Sequence, residues 1–133
     1  MSKVETGEVE RVERERKTGL TAYKNKDYKP AIRHLEKVLK IWPDDIPILV
    51  ALGGAYLHTK DYQKCLAACE QVAKLSNEGP DGDAYTAEAL STMSSAFVKL
   101  GESKTAVKYY HKSLGKYHGQ IYSKLDKSKI ASR

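Results

Sequence analysis

The sequence predicts an all-α protein in which short helices pair as hairpins and the hairpins stack into a solenoid with a concave groove. Two observations predict this fold: a segment that recurs at a fixed spacing, and apolar residues spaced as on one face of a helix. The segment at 23–31, Tyr-Lys-Asn-Lys-Asp-Tyr-Lys-Pro-Ala, recurs at 57–65 as Leu-His-Thr-Lys-Asp-Tyr-Gln-Lys-Cys, an offset of 34 residues. Because one hairpin cannot bury its apolar face alone, repeats of this length are expected to stack.

A third copy of the segment lies at 98–106, which is 41 residues after the second. Seven additional residues therefore separate the second and third repeats, and the breaker-rich stretch at 77–83 is predicted to loop out. We predict a single domain, 1–133, with repeats at about 12–45, 46–79 and 87–120, an insertion that reaches residue 86, and a capping helix at about 118–131.

The first repeat is predicted to be helix, turn, helix. Gly19 is small enough to let two helices approach, Asp27-Tyr28 opens the second helix, and Pro43 ends the repeat. Ala31 is the small residue expected where the helices cross. The apolar residues of the second helix lie at the spacing of one helical stripe: Ile32, Leu35, Val38 and Leu39.

The second repeat has the same pattern, with Gly53 at the close approach, Asp61-Tyr62 at the helix start and Cys65 at the crossing. Gly53-Gly54 resembles part of a phosphate-binding loop, but no Lys-Ser/Thr follows it. We therefore interpret both glycines as sites of close helix packing.

The third repeat has its turn at Gly101-Glu102-Ser103 and its small crossing residue at Ala106. Phe97 and Tyr110 are predicted to be its large packing residues. Beyond it, the predicted capping helix has an apolar side backed by lysines, which is what a terminal repeat needs for solubility. Its apolar residues are Ile121, Leu125 and Ile130.

Composition indicates a soluble globular protein, since 41% of the 133 residues are hydrophobic and 30% are charged. No apolar run is long enough to span a membrane, and we expect a cytoplasmic location. The net charge of +6 is concentrated in residues 103–133, which hold eight Lys/Arg and one acid. A solvated helix face explains such a run, while binding of nucleic acid or an acidic partner is the alternative.

No catalytic or metal-binding group is predicted. Cys65 and Cys69 lie one helical turn apart near His58, but zinc sites use four ligands, and Cys65 already occupies a packing position. None of the four histidines has a nucleophile and an orienting group that the sequence can place beside it. We therefore predict a protein that is not an enzyme and has no cofactor.

The repeat resembles the tetratricopeptide repeat over residues 12–120, because the spacing, the small residues and the Asp-Tyr turn all recur. More narrowly, the chain resembles the three-repeat domains of Hop-type heat-shock-organising co-chaperones. This narrower resemblance rests on the segments at 19–28, 60–65 and 109–114 and on the insertion before the third repeat. It implies a right-handed superhelical solenoid whose concave groove binds the acidic C-terminal tail of a heat-shock chaperone.

In that family the tail is held by a carboxylate clamp of basic and amide side chains. Carried over by position, the first basic residue falls on Arg16. The other four positions hold Leu20, Ala51, Glu88 and Thr92, so two amides and two cations are absent and one anion is added. Since a charge-assisted hydrogen bond contributes about 1.5–3 kcal/mol, we do not expect clamp-type recognition.

We therefore predict a protein-interaction module of co-chaperone or adaptor type whose partner segment is less acidic and more apolar than a chaperone tail. Three alternatives remain open: binding of a heat-shock chaperone tail despite the substitutions, binding of nucleic acid or an anionic surface through 103–133, and a purely structural role. The predicted groove residues are Arg16, Leu20, Tyr23, Lys24, Ala51, Glu88 and Thr92.

Overall fold

The computed structural model describes residues 6–75 and 82–121, which form six α-helices. They are α1 (Thr6–Lys24), α2 (Tyr28–Ile41), α3 (Ile46–His58), α4 (Tyr62–Leu75), α5 (Gly82–Lys99) and α6 (Ser103–Ile121). Consecutive helices pair as three hairpins, and each hairpin packs against the next. Since no strand occurs in these two stretches, the predicted all-α fold of three stacked hairpins is confirmed.

The helices extend beyond the predicted repeats at two places. α1 begins at Thr6 and α5 begins at Gly82, whereas the repeats were predicted from residues 12 and 87. α6 continues to Ile121 without a break at residue 118, where a separate capping helix was expected to begin. No proline lies within α6, and isolated glycines are tolerated inside helices. The remainder of the predicted cap, 122–131, lies outside the described residues.

The turn inside each hairpin has one residue in the left-handed conformation, namely Lys26 (φ 65°), Lys60 (φ 67°) or Gly101 (φ 80°). These positions are 34 and 41 residues apart, as the sequence repeat predicts. After each of them, the next N–H donates to the carbonyl five residues earlier, which is the Schellman ending of a helix. The three bonds join Asp27 to Ala22, Asp61 to Tyr56 and Glu102 to Phe97.

Glycine allows the two helices of a hairpin to approach closely. A Cβ atom on Gly19 would lie 2.5 Å from Leu35 Cδ2, and one on Gly53 would lie 2.7 Å from Cys69 Sγ. Both contacts are too short for real carbon atoms, so the predicted role of these glycines is confirmed. The predicted crossing residues Ala31, Cys65 and Ala106 are all buried.

The central helix α3 is the most buried of the six described helices. Every residue from Ile48 to Tyr56 is buried, because hairpins cover α3 on both sides. The largest fully buried side chains come from the first two hairpins: Leu35, Val38, Ile48, Leu52, Cys65, Cys69 and Val72.

One packing prediction for the third repeat was wrong. Tyr110 is 52% exposed, and its neighbour Tyr109 packs against Phe97 with ring centroids 5.1 Å apart. The buried residues Ala106 and Ser113 define the inner face of α6. Since successive helical residues are rotated by about 100°, Tyr109 and Tyr110 flank that face on opposite sides, and Phe97 of α5 covers the Tyr109 side.

Candidate partner-binding groove

The candidate groove is formed by the first helix of each hairpin, α1, α3 and α5. α3 contacts both of the others, so the three helices lie side by side. All seven predicted groove residues belong to these helices: four to α1, one to α3 and two to α5.

The residues predicted on α1 line one shallow depression of about 520 Å³. Lysine side chains and an acidic residue surround its apolar part, so it offers both apolar and charged contacts. Its lining consists of Glu13, Arg16, Lys17, Leu20, Thr21, Tyr23 and Lys24.

Arg16 is already engaged within the protein. Its Nε donates to Asp45 Oδ2 at 2.8 Å and its Nη2 donates to Asp45 Oδ1 at 3.2 Å. These hydrogen bonds raise the pKa of Arg16. Asp45 precedes α3 as its N-cap residue but makes no side-chain capping bond there, because its carboxylate is directed to Arg16. The sequence does not predict this partner for Arg16, because Asp45 is 29 positions away and is marked only as an aspartate before Ile46-Pro47.

Tyr23 connects α1 to α3 within the groove. A side chain on Gly54 would collide with the Tyr23 hydroxyl, so the missing side chain makes room for the ring, as predicted for close packing. The ring also packs edge-on against Tyr28, with centroids 5.9 Å apart. Burial raises the pKa of Tyr23, and the carboxylate of Glu88 on α5 raises it further.

The remaining predicted residues differ in what they offer to a ligand. Ala51 is buried, so its methyl group presents little surface. Glu88 is exposed, and the Thr92 hydroxyl donates to the Glu88 backbone carbonyl at 3.0 Å. These two α5 positions thus hold a carboxylate and a hydroxyl where the family resemblance implies two cations.

The described residues contain neither a cluster of potential metal ligands nor a helix suited to span a membrane. Within 6–75 and 82–121, no group of three or more His, Cys, Asp or Glu side chains is placed to hold a metal ion. In the same part of the chain, no helix has the length and apolar character needed to cross a membrane.

The chain is similar to part of several curated proteins. It is 28% identical over 103 residues to stress-induced-phosphoprotein 1 of Caenorhabditis elegans, covering 77% of this chain and 32% of that protein. It is 28% identical over 105 residues to Hsp70-Hsp90 organizing protein 3 of Arabidopsis thaliana, covering 76% of this chain and 19% of that protein. The chain thus matches about a third or less of the length of these curated relatives.

A solved structure has the same architecture. The N-terminal domain of stress-induced protein-1 from C. elegans superposes with a TM-score of 0.70 at 27% sequence identity. The match covers 81% of this chain and 85% of that domain.

Models of one repeat family match most of the chain. A tetratricopeptide repeat model matches residues 44–117, which is more than half of the chain, and a second one matches residues 17–45. The chain belongs to the tetratricopeptide repeat family.

Proposed function

We propose that this chain is a protein-interaction module that binds a partner segment along the groove formed by α1, α3 and α5, without a carboxylate clamp. Family membership and similarity to Hsp70-Hsp90 organizing proteins support an adaptor of co-chaperone type. The depression on α1 supports the position of the binding surface, because it combines apolar side chains with charged rims.

The ion pair between Arg16 and Asp45 is the observation that supports binding without a carboxylate clamp. Arg16 is the one clamp position that keeps a cation, and its guanidinium already donates to both oxygens of a carboxylate. An incoming carboxylate would have to displace Asp45 and would also meet the exposed Glu88. Leu20 adds apolar surface instead of an amide, which supports a partner segment that is more apolar than a chaperone tail.

The clamp is tested by isothermal titration calorimetry with an acidic C-terminal peptide of a heat-shock chaperone. We expect no measurable binding to the wild-type chain. The control is Glu88→Lys with Thr92→Arg, which restores two cations at α5 positions and should produce binding. Micromolar affinity of the wild-type chain, abolished by Arg16→Ala, would instead establish chaperone-tail binding despite the substitutions.

The groove itself is tested by reversing charges at its rim. Lys17→Glu with Lys24→Glu changes two exposed residues that line the depression, and should reduce capture of protein partners in a pull-down. Lys29→Glu with Lys37→Glu reverses two exposed lysines on α2, outside the groove, and should leave capture unchanged. Equal capture by both pairs would place the binding surface elsewhere.

A further inference from the structure

Charge is divided unevenly between the two sides of the helical stack. The first helices of the hairpins, α1, α3 and α5, contain five, none and one lysine or arginine residues against four, none and two acidic residues. The second helices, α2, α4 and α6, contain four, two and four basic residues against one, one and no acidic residues. The excess positive charge of the six helices therefore belongs to the second helices.

The second helices form the side of the stack opposite the groove. α3 approaches both α1 and α5, whereas within the described residues no close backbone approach joins α2 to α4 or α4 to α6. The second helices are therefore spaced farther apart and lie on the convex side. The exposed cations of α2 and α6 are hereafter called the outer face; they are Lys29, Arg33, Lys37, Lys40, Lys104, Lys108 and Lys112.

The cations of the outer face are directed away from the core. Successive helical residues are rotated by about 100°, so Arg33 lies opposite the fully buried Leu35, and Lys108 lies opposite the buried Ala106. Residues four apart follow one another along one side of a helix. The outer face thus consists of two rows of cations, one on α2 and one on α6, and both rows face solvent.

These rows have few counter-charges within the protein. Lys37 Nζ lies 3.9 Å from Glu15 Oε1, and the other six cations make no ion pair with a described carboxylate. The one acid of α2, Glu36, accepts the hydrogen bond of the Tyr56 hydroxyl. Like charges four residues apart destabilise a helix. Because both rows are unfavourable for the isolated fold, they indicate a ligand that supplies the anions.

α4 lies between the two rows and is close to neutral. Lys64 Nζ lies 3.9 Å from Asp61 Oδ2, and Lys74 Nζ lies 3.8 Å from Glu70 Oε1. The α4 residues 34 positions after the first three cations of the α2 row are Gln63, Ala67 and Gln71. The convex side therefore presents two positive rows with a neutral strip between them.

We propose that the outer face binds the phosphate backbone of a double-stranded nucleic acid, without reading its sequence. Two phosphate strands separated by a groove of base edges match two rows of cations separated by a neutral strip. Clustering of lysine and arginine along helices on one side of a protein with a net charge of +6 is typical of such binding. This function is separate from the groove formed by α1, α3 and α5 and does not depend on it.

A duplex matches the outer face better than other anionic ligands do. Single-stranded nucleic acids stack their bases on exposed aromatic rings, and no residue of the outer face has a ring. Lysine is depleted at protein–protein interfaces, whereas six of the seven residues of the outer face are lysine. A flat, uniformly charged bilayer would first meet the neutral α4 in the middle of the convex side.

The proposal is tested by fluorescence anisotropy with the full chain and a labelled DNA duplex of roughly 20 base pairs and mixed sequence. If each of the six unpaired cations meets a phosphate, a plot of log association constant against log salt concentration should have a slope of about −5. Arg33→Gln with Lys40→Gln should reduce the size of this slope by about 2, and Lys104→Gln with Lys108→Gln should do the same. An RNA duplex should bind within about threefold of the DNA duplex, because only the backbone is contacted.

The matched control is Arg11→Gln with Arg14→Gln, which removes the same charge from exposed positions of α1 and should leave the slope unchanged. Thermal unfolding checks that all variants are folded. Absence of duplex binding, an equal loss in the control pair, or binding that only removal of 122–133 abolishes would overturn the proposal. So would binding at least about tenfold tighter to a single strand of the same length, to polyglutamate or to phosphatidylserine vesicles, since each result would assign the outer face to another ligand.

Discussion

Arg16 and Asp45 form a bidentate ion pair that joins the groove side of α1 to the residue preceding α3. The distances are 2.8 and 3.2 Å, and the two side chains are 30% and 11% exposed. Paired planar groups of this kind bind more strongly than single charge contacts. The pair thus joins α1 to the start of α3 and engages the Arg16 guanidinium within the protein.

We predict that Arg16→Ala and Asp45→Ala each reduce the free energy of unfolding by about 1 kcal/mol, because each leaves a partly buried charge without its partner. A double-mutant cycle measured by urea denaturation should give a coupling energy of similar size. Asp44→Ala removes the same charge from an exposed neighbour and should have little effect. Strict additivity of the two single substitutions would show that the pair does not stabilise the fold.

The hairpin turns offer a test of backbone strain. Lys60 has φ 67° and Gly101 has φ 80° at equivalent positions. A residue with a Cβ atom is strained there and glycine is not, so Lys60→Gly should stabilise the protein by about 0.5–1 kcal/mol and Gly101→Ala should destabilise it by about 1 kcal/mol. Chemical denaturation midpoints measure both. Effects of the same sign would contradict the equivalence of the two turns.

Close helix approach predicts opposite outcomes for two glycine substitutions inside helices. Gly53→Ala should destabilise the protein by about 1–3 kcal/mol, because its new Cβ would lie 2.7 Å from Cys69 Sγ. Gly115→Ala, with no atom within 4 Å of its Cβ, should stabilise α6 by about 0.5–1 kcal/mol. Differential scanning calorimetry distinguishes the two. A stabilising Gly53→Ala would mean that the first two hairpins pack more loosely than described.

The contact between Tyr56 and Glu36 predicts a pH dependence. The Tyr56 hydroxyl donates to the Glu36 carboxylate, joining α3 to α2. Burial, together with this bond, raises the pKa of Tyr56 above its usual value. The unfolded chain therefore loses this proton first, so the stabilisation is complete below about pH 10 and is lost as the pH rises further.

In the variant Tyr56→Phe, the decline of unfolding free energy between pH 9 and 11 should be smaller than in the wild type by about 1 kcal/mol. Urea denaturation across this range measures the difference. Tyr62→Phe is the matched control, since it removes the same hydroxyl from a ring that is only partly buried. Parallel curves for wild type and Tyr56→Phe would exclude the proposed linkage.

Local features of the fold were predictable because each is encoded within one repeat. The left-handed turn positions recur at the sequence spacing, and the roles of Gly19 and Gly53 follow from their small size. The choice between Tyr109 and Tyr110 was not predictable from residue type. Two adjacent tyrosines are equally apolar, and the rotation of α6 against α5 decides which of them is covered.

By itself, the sequence determined the number of hairpins, their spacing, their turns and the small residues at their crossings, because these depend on neighbours within a few turns of helix. Only the tertiary structure decided which charged side chains of the groove are paired within the protein, as Arg16 is with Asp45. Arg16 and Asp45 are 29 positions apart, and no local pattern brings them together. Their contact depends on how one hairpin is set against the next.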